Sequence, residues 1–399
     1  MLAILTTHPI QYQVPLWQAL AKDGKIPFEV WYLTRHGVEP SPDAEFRKSF
    51  QWDIDLLKGY PYQFLETNQN PKVHRFWGVR FAEDLKKKLQ QKKVKALWIQ
   101  GWQVFAYWQA VWQAHEAGVE VWLRGESNDL APTPLWKRLP KGIFLGALFK
   151  KIDRFLYIGE ANRRLYERYG VSREQLYSAP YGVDNERFAR QAKELLPQRT
   201  EIRRRWKIPE EAFCILFAGK FIPKKRPFDL VESVCNGHLR RPSRPIHLLF
   251  AGSGELGRKL RQTCCVVFDA EKMSEGGEGP TASFVGFLNQ TEISKAYVAA
   301  DCLVLPSDHR ETWGLVINEA LASGIPCAAS DACGCAEDLI YTLHPKLRFR
   351  MGNQEALTEA ISLLMEESPS LYAPYEQVTK FSIETVVQTV RELCQSWER

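Results

Sequence analysis

Short apolar runs, rich in β-branched and aromatic residues, recur along the whole chain. Residues 2–6 (LAILT), 28–33 (FEVWYL), 96–99 (ALWI), 119–124 (VEVWLR) and 155–158 (FLYI) form a first set. Residues 213–219 (FCILFAG), 246–252 (IHLLFAG), 283–286 (SFVG), 302–307 (CLVLPS) and 326–330 (PCAAS) form a second. Segments of about 10–15 residues with helical spacing separate most of them. A strand buried on both faces reads as an unbroken apolar run. The alternation therefore predicts an α/β protein with parallel sheets covered by helices. The pattern pauses between about residues 181 and 212, which are polar, charged and helical, and restarts at Phe213. This predicts two Rossmann-like, doubly wound domains, 1–190 and 191–375. A C-terminal helix in 376–399 is expected to pack back on the first. Ligands of such sheets bind beyond the carboxyl ends of the strands, so a site is expected in a cleft that the two domains face. The glycine- and charge-rich segment 270–282 is expected to be a mobile loop.

No run of about 18 apolar residues suggests a spanning helix. The opening MLAILTTHPIQYQ lacks a basic region and a long apolar region, and reads as a first strand rather than a signal peptide. Charge changes the picture more. The net charge is +6, but residues 1–200 carry 30 Lys+Arg against 21 Asp+Glu, an excess of +9, and residues 201–399 carry 23 against 26, or −3. The first half is thus suited to an anionic partner. No helix-turn-helix, finger or RNA-recognition signature accompanies it, so nucleic acid is not the expected partner. All nine cysteines fall at or after Cys214, without ligand or disulfide spacing, although Cys333 and Cys335 form a C-x-C. Reduced thiols in a cytoplasmic protein are expected.

Candidate chemistry gathers at predicted strand ends of the second domain. In SDHRETWGLVINEALASG (307–324), Glu311 precedes a helix that begins near Gly314 and Leu315, and Glu319 lies inside it. Free backbone N–H groups at a helix start bind anions. Two carboxylates around such a point do not bind phosphate, but they can accept hydrogen bonds from hydroxyls on either side of it. The plainer reading is an acidic loop and an ordinary helical Glu. In FAGKFIPKKRPFDLVESV (217–234), Lys220 and Lys225 follow another strand end and could neutralise a diphosphate leaving group without a metal. Here the plainer reading is a solvated basic loop. Gly252, Gly254 and Gly257 make a G-x-G-x-x-G string. It neither follows a first strand nor precedes an acidic strand end, so NAD is rejected. A loop near a base or a diphosphate remains open.

The order G-K-x-x-P-x-K, A-G-x-G, V-G-F and P-S-x-x-x-E-T-W-G-L-V-x-N-E-A resembles the retaining GT-B glycosyltransferases of family 4. The resemblance is strongest over about 213–345. It extends into the first half through THPIQYQVPL, WDIDLLKGY, RGES and PYGVDNERF. It implies that Glu311 holds hydroxyls of a donor hexose and Glu319 those of a ribose. Thr312 and the backbone N–H groups of Trp313, Gly314 and Leu315 would lie against the sugar and diphosphate. Lys225 matches the family's phosphate-binding Lys. Val285 and Phe287 would border the base, and Gly252 and Gly254 would lie beside the donor. Two departures stand out. Lys220 occupies a position where the family commonly has Arg, which turns bidentate contacts into a point charge. Arg226 occupies the place of a glycine.

In the first domain, THPIQYQ replaces a glycine-rich turn, and His8, Gln11 and Tyr12 are expected to face the acceptor. Arg124 and Glu126 of RGES are expected beside them, unless they form a structural ion pair. His8 is also a candidate catalytic group, with a core or surface histidine as its plainer reading. Asp53 and Asp55 form a D-x-D, but in the wrong domain for a metal-held nucleotide sugar, so no metal or cofactor is expected. Segment 132–155 interleaves Lys137, Arg138, Lys141, Lys150 and Lys151 with Trp136, Phe144, Leu145, Leu148 and Phe149. It reads either as an interfacial helix for an anionic membrane surface or as a helix that covers the sheet. The resemblance thus implies a cytoplasmic hexosyltransferase, peripheral at the inner face of the membrane where segment 132–155 is read as an interfacial helix. Its partners would be a UDP- or GDP-sugar and a hydroxyl acceptor such as a lipid-linked sugar or polysaccharide. A sugar-nucleotide epimerase of the same architecture and an inactive binding protein are the alternatives.

Overall fold

The computed structural model describes every residue except 39–40, 44–47, 51–54, 133, 236–243, 274–275, 368–374, 396 and 398–399. The chain forms two compact units. One is built mainly from residues up to Tyr181 and again from Ile383, the other mainly from Gly182–Ser382. The strands of the first unit are β1 (Leu2–Thr6) and β2 (Phe28–Tyr32). After a separate pair, β3 (Ser41–Asp43) and β4 (Lys48–Phe50), come β5 (Tyr62–Phe64), β6 (Ala96–Ile99), β7 (Glu120–Leu123), β8 (Arg154–Tyr157) and β9 (Leu176–Ser178). They make a parallel sheet of order β5-β2-β1-β6-β7-β8-β9. The second unit contributes β10 (Phe213–Ala218), β11 (Ile246–Ala251), β12 (Cys265–Asp269), β13 (Thr281–Gly286), β14 (Cys302–Leu305), β15 (Cys327–Ser330) and β16 (Arg348–Phe349). These are parallel in the order β12-β13-β11-β10-β14-β15-β16.

Helices α1 (Val14–Asp23), α2 (Leu85–Gln91), α3 (Phe105–Glu116), α4 (Leu135–Phe149) and α5 (Glu160–Arg168) belong to the first unit. The second has α6 (Asn185–Leu195), α7 (Arg199–Arg205), α8 (Pro227–Cys235), α9 (Gly257–Thr263), α10 (Ile293–Ala299), α11 (Leu315–Ala322), α12 (Gln354–Glu367) and α13 (Tyr375–Lys380). The last helix, α14 (Ile383–Gln395), returns to the first unit. Its apolar stripe of Val386, Val387, Val390 and Leu393 is buried. Arg391 pairs with Asp23 at the end of α1, and Thr389 Oγ1 donates to the Ser178 carbonyl at 2.7 Å.

Every apolar run became a strand, because each fills the middle of a sheet covered on both faces. All five residues of β1 and all six of β10 are buried. Each such Leu, Ile or Phe contributes about 1.5–3 kcal/mol on burial. Within the two seven-stranded sheets, the strands that no apolar run announces are β5, β9, β12 and β16. All four are sheet edges, where partial exposure removes the need for an unbroken apolar run.

Two expectations need correction. The part of 270–282 from Gly277 to Gly279 is packed against the chain before β12 rather than extended as a free loop: the Gly277 N–H donates to the Cys264 carbonyl at 2.7 Å. A Cβ on Gly277 or Gly279 would lie 2.0 Å from the Gln262 or Thr263 carbonyl oxygen. Its glycines thus serve close packing. A boundary at residue 190 would also cut α6, whereas the change of unit falls at Tyr181–Gly182. Helix α6 belongs with the second unit because Phe188 is buried against Tyr297 and Arg187 bonds Gln290 at 2.8 Å.

The loops at the carboxyl ends of β10 and β11 touch backbone to backbone. Gly252 has φ +143°, and a Cβ there would lie 1.9 Å from the Gly219 carbonyl oxygen. Gly252→Ala is therefore expected to destabilise the protein by at least about 3 kcal/mol, from combined strain and clash. Denaturant titration checks this, and an unchanged midpoint would mean that the two loops separate freely.

Candidate functional site

The chain leaves β10 through Gly219, whose φ is +145°. Phe221 is fully buried and ties the next loop down: its N–H donates to the Ser253 carbonyl at 2.8 Å, and its carbonyl accepts from Leu256 at 2.9 Å. A Cβ on Gly254 would lie 2.6 Å from that carbonyl oxygen. Gly252 and Gly254 thus have a packing role in the structure, locking two strand-end loops together. Lys220 is half-buried beside this junction. A 3-10 turn, Pro223–Lys225, follows, and Arg226 closes it at φ +50°. A left-handed residue favours glycine. Arg226 meets the same need and bonds Asp229 at 2.8 Å.

The turn aims Lys225 back over Gly219, where a Cβ would lie 3.9 Å from the Lys225 Nζ. There Lys225 forms an ion pair with Glu311, each side chain only 14% exposed. The Asp308 N–H donates to the Lys224 carbonyl at 2.8 Å, so the loop after β14 is fastened to the loop after β10. Gly314, at φ +110°, turns that loop into α11. A Cβ on Gly314 would lie 2.7 Å from Leu305 and 3.3 Å from the Cys335 sulfur. Only glycine brings the helix start this close to the strand end and to Glu311. Trp313 is buried, donating its indole N–H to Asn318 Oδ1 at 2.8 Å, while Thr312 is exposed. At the start of α11 the Ile317 N–H donates to the Gly314 carbonyl at 2.9 Å, while the N–H groups of Leu315 and Val316 precede the first intrahelical acceptor. Lys225, Glu311 and a helix N-terminus therefore meet at one point. Val285 is buried within β13, and Phe287 is half-buried just past it.

Glu319 lies in α11 and accepts the hydroxyl of Tyr297 from α10 at 2.5 Å. Burial raises its pKa above the usual carboxylate value, and the Tyr297 hydrogen bond and the Arg187 charge oppose that rise. Tyr297 was not among the expected site residues. It lies in a short apolar helix 22 positions away, where its pattern is that of a core tyrosine.

In the first unit the expected residues separate into two groups. Tyr12 donates to Glu126 Oε1 at 3.3 Å, and its ring meets Tyr181 edge-on at 5.8 Å. The Arg124 guanidinium lies 4.7 Å over the Tyr181 ring. Neither an acceptor-facing role nor an ion pair with Glu126 describes Arg124. It is buried and donates to the Ala179 and Pro180 carbonyls at 3.2 and 3.1 Å, joining the ends of β7 and β9. Gln11 is half-buried on the same loop as Tyr12. His8 lies with Thr7, whose Oγ1 is 2.9 Å from Nδ1, and with His36, ring to ring at 5.0 Å. Burial, then the neighbouring His36, lowers its pKa to about 4. Asp55 accepts the Leu57 N–H at 3.0 Å, a local turn, and Asp53 lies outside the described residues. Among the described residues no three His, Cys, Asp or Glu converge as metal ligands.

The family described as glycosyl transferases group 1 matches residues 198–381, which contain Lys220, Lys225, Glu311, Gly314 and Glu319. Over residues 198–381, a little under half of its length, the chain is thus similar to the group 1 glycosyl transferases. A D-inositol 3-phosphate glycosyltransferase of Geodermatophilus obscurus is 31% identical over 179 residues, 43% of this chain and 36% of that one. A GDP-mannose-dependent alpha-mannosyltransferase of Mycobacterium tuberculosis is 29% identical over 221 residues, 55% and 50% of the two chains. The chain thus spans half or less of the length of these relatives. In fold, Anabaena HepE, solved in complex with UDP and glucose, matches with a TM-score of 0.63 at 13% identity over 99% of both chains. Sucrose-phosphate synthase from Thermosynechococcus elongatus matches with a TM-score of 0.63 at 17% identity over 99% and 98%. With its two parallel seven-stranded sheets and these likenesses, the chain has a GT-B fold.

A histidine with a pKa near 4 is neutral at pH 7, so it donates or accepts hydrogen bonds rather than acting as a proton donor. The C2 proton of His8 is expected to titrate well below the ordinary 6.5, near about 4. NMR titration of wild type against His8→Gln checks this, and a midpoint at or above 6.5 would restore His8 as an acid–base group.

Proposed function

We propose that the protein transfers a hexose from a nucleotide diphosphate sugar, UDP- or GDP-linked, to a hydroxyl acceptor with retention of configuration. The observation that carries this reading is the meeting of Lys225, Glu311 and the start of α11 at one point of the stretch similar to group 1 glycosyl transferases. The names of similar proteins support the donor class: one is GDP-mannose-dependent, and a fold neighbour was solved with UDP and glucose.

The ion pair gives the site a definite order of events. Without donor, Lys225 and Glu311 neutralise each other in a nearly buried position. An arriving diphosphate competes for Lys225 and for the N–H groups of α11. Glu311 is then released to accept hydrogen bonds from hexose hydroxyls. As the C1–O bond to phosphate breaks, negative charge grows on the diphosphate, and Lys220, Lys225 and the helix start stabilise it without a metal. The acceptor oxygen bonds to C1 from the same face, and the departing phosphate takes its proton. Glu319, held by Tyr297, accepts from the ribose.

Assayed in excess chelator with UDP- and GDP-hexoses, Lys225→Ala and Glu311→Ala are each expected to lose at least about 100-fold in turnover while remaining folded. Near-normal turnover in either would remove that residue from the mechanism. Activity that requires added magnesium would overturn the metal-free step. Donor breakdown that needs no acceptor would favour the epimerase.

Ribose contacts are alike in ground and transition states, so Glu319→Gln is expected to raise KM and spare kcat. The carboxylate accepts best when ionised. Because its pKa is raised, the wild-type KM is expected to climb as pH falls while still above the ordinary carboxylate range. The Gln variant is expected to lack that climb. A collapsed kcat with unchanged KM would place Glu319 in the chemical step.

The reading includes an anionic membrane surface as the place of work. Helix α4 covers the sheet with Leu145, Leu148 and Phe149, which are buried, and the interfacial reading rests on its other face. Its other face leaves Trp136, Leu139, Ile143 and Phe144 at least 65% exposed, beside the exposed Lys141 and Lys150. Among the described residues no helix is long and apolar enough to cross a membrane. Each basic residue near an anionic bilayer contributes about 1 kcal/mol. Sedimentation with anionic vesicles is expected to recover the protein, less so at high salt and less when Lys150 and Lys151 are both changed to Glu. Equal supernatant fractions with anionic and neutral vesicles would sink the membrane reading alone.

A further inference from the structure

A second surface of the first unit, on α3 and the turn at Phe76–Gly78, carries an aromatic ridge. Phe76 and Trp77 lie in a 3-10 turn, and Phe105, Trp108 and Trp112 follow at i, i+3 and i+7 along one face of α3. The rings touch in sequence. Trp77 meets Phe105 at 4.6 Å, Phe76 meets Trp77 at 4.9 Å and Trp108 at 5.8 Å, and Trp108 stacks on Trp112 at 5.8 Å. Trp77 is 60% exposed, Trp112 39% and Phe76 36%. The opposite face of α3 is already buried in the core through Ala106, Tyr107, Ala110, Val111 and Ala114. Its outer face is where a surface helix normally carries polar residues.

The turn that presents Trp77 is braced. The Lys72 N–H donates to the Gly78 carbonyl at 2.9 Å, and Asn68 exchanges bonds with Arg80 at 2.7 and 3.0 Å and reaches the Gly78 carbonyl at 3.3 Å. A Cβ on Gly78 would lie 2.1 Å from the Lys72 carbonyl oxygen. A large indole is therefore held outward at little further entropic cost on binding. The Arg80 guanidinium lies 5.5 Å from the Trp77 ring and 5.8 Å from the Phe105 ring. It puts a fork of N–H donors beside the aromatic faces.

We propose that this ridge binds a saccharide chain, with pyranose rings stacked on Trp77 and along α3 and hydroxyls bonded to Arg80. Ring faces are electron-rich, and the C–H groups on the apolar face of a pyranose carry the complementary partial charge. The ridge has rings and a donor fork but no aliphatic side chain, unlike the exposed face of α4, so its chemistry matches sugar rather than lipid. From Phe105 to Trp112 it runs about 10 Å at 1.5 Å per residue, enough for more than one sugar. The proposal does not depend on the transfer reaction.

Native electrophoresis of the full chain through gels containing amylose, dextran, mannan or alginate tests it, the last separating acidic from neutral sugars. At least one polysaccharide is expected to retard the wild type. Trp77→Ala and Trp112→Ala are each expected to weaken that retardation about threefold to tenfold, the scale of one aromatic contact. Trp77→Phe is expected to keep most of it. Both alanine variants replace exposed rings, and an unchanged melting temperature confirms their folding. No retardation by any of the gels, or retardation unchanged in both alanine variants, overturns the proposal. So does loss, in Trp77→Ala, of binding to phosphatidylcholine vesicles or of self-association, either of which would assign the ridge to lipid or to a second copy.

Discussion

The approach of the Gly219 carbonyl to the Cα of Gly252 is the constraint on which the candidate donor site depends. In a parallel sheet, adjacent strands end at the same edge, and their loops compete for the space above it. Removing the side chain at 252 lets the β11 loop lie directly on the β10 loop. Phe221 can then be driven into the core, and the turn that follows can aim Lys225 back over the strand end. Gly314 solves the same problem on the other side, bringing α11 against Leu305 and Cys335. Backbone crowding, rather than any attraction between the charged groups, sets where Lys225 and Glu311 meet.

This explains what was legible in the chain and what was not. The central strands were plain because burial on both faces leaves no polar positions to confuse them. The edge strands β5, β9, β12 and β16 were hidden because an edge needs no such run. The spacing of Glu311, Gly314 and Glu319 placed two carboxylates about one helix start. It could not reveal that Lys225 pairs with Glu311, since that contact crosses two loops. Tyr297 and Tyr181 were unreadable for a related reason: each bonds or packs against a partner far along the chain, and a buried tyrosine leaves no periodic trace. Arg124 was read from its strand-end position, but position does not say whether a guanidinium is aimed outward or at nearby carbonyls.

The two exposed apolar surfaces of the first unit illustrate how composition separates roles that burial alone does not. On α4, Leu139 and Ile143 stand with Trp136 and Phe144, and lysines lie beside them. On α3 and its neighbouring turn the surface is made of aromatic rings and Arg80. Aliphatic groups have no preferred orientation toward a partner, whereas rings select ligands with a complementary face.

The return of α14 to the first unit has a consequence for biosynthesis. Asp23 and Ser178 are translated long before Arg391 and Thr389, and the whole of Gly182–Ser382 emerges in between. The second unit has all seven strands of its sheet between Phe213 and Phe349, before α14 is made, so on the ribosome that sheet is free to form ahead of the completed first unit. The first unit must leave the face of α1 uncovered until α14 has been made. A vectorial order that usually runs from the amino end is here inverted for one packing step. That interval leaves the α1 face open to chaperones and to misassembly.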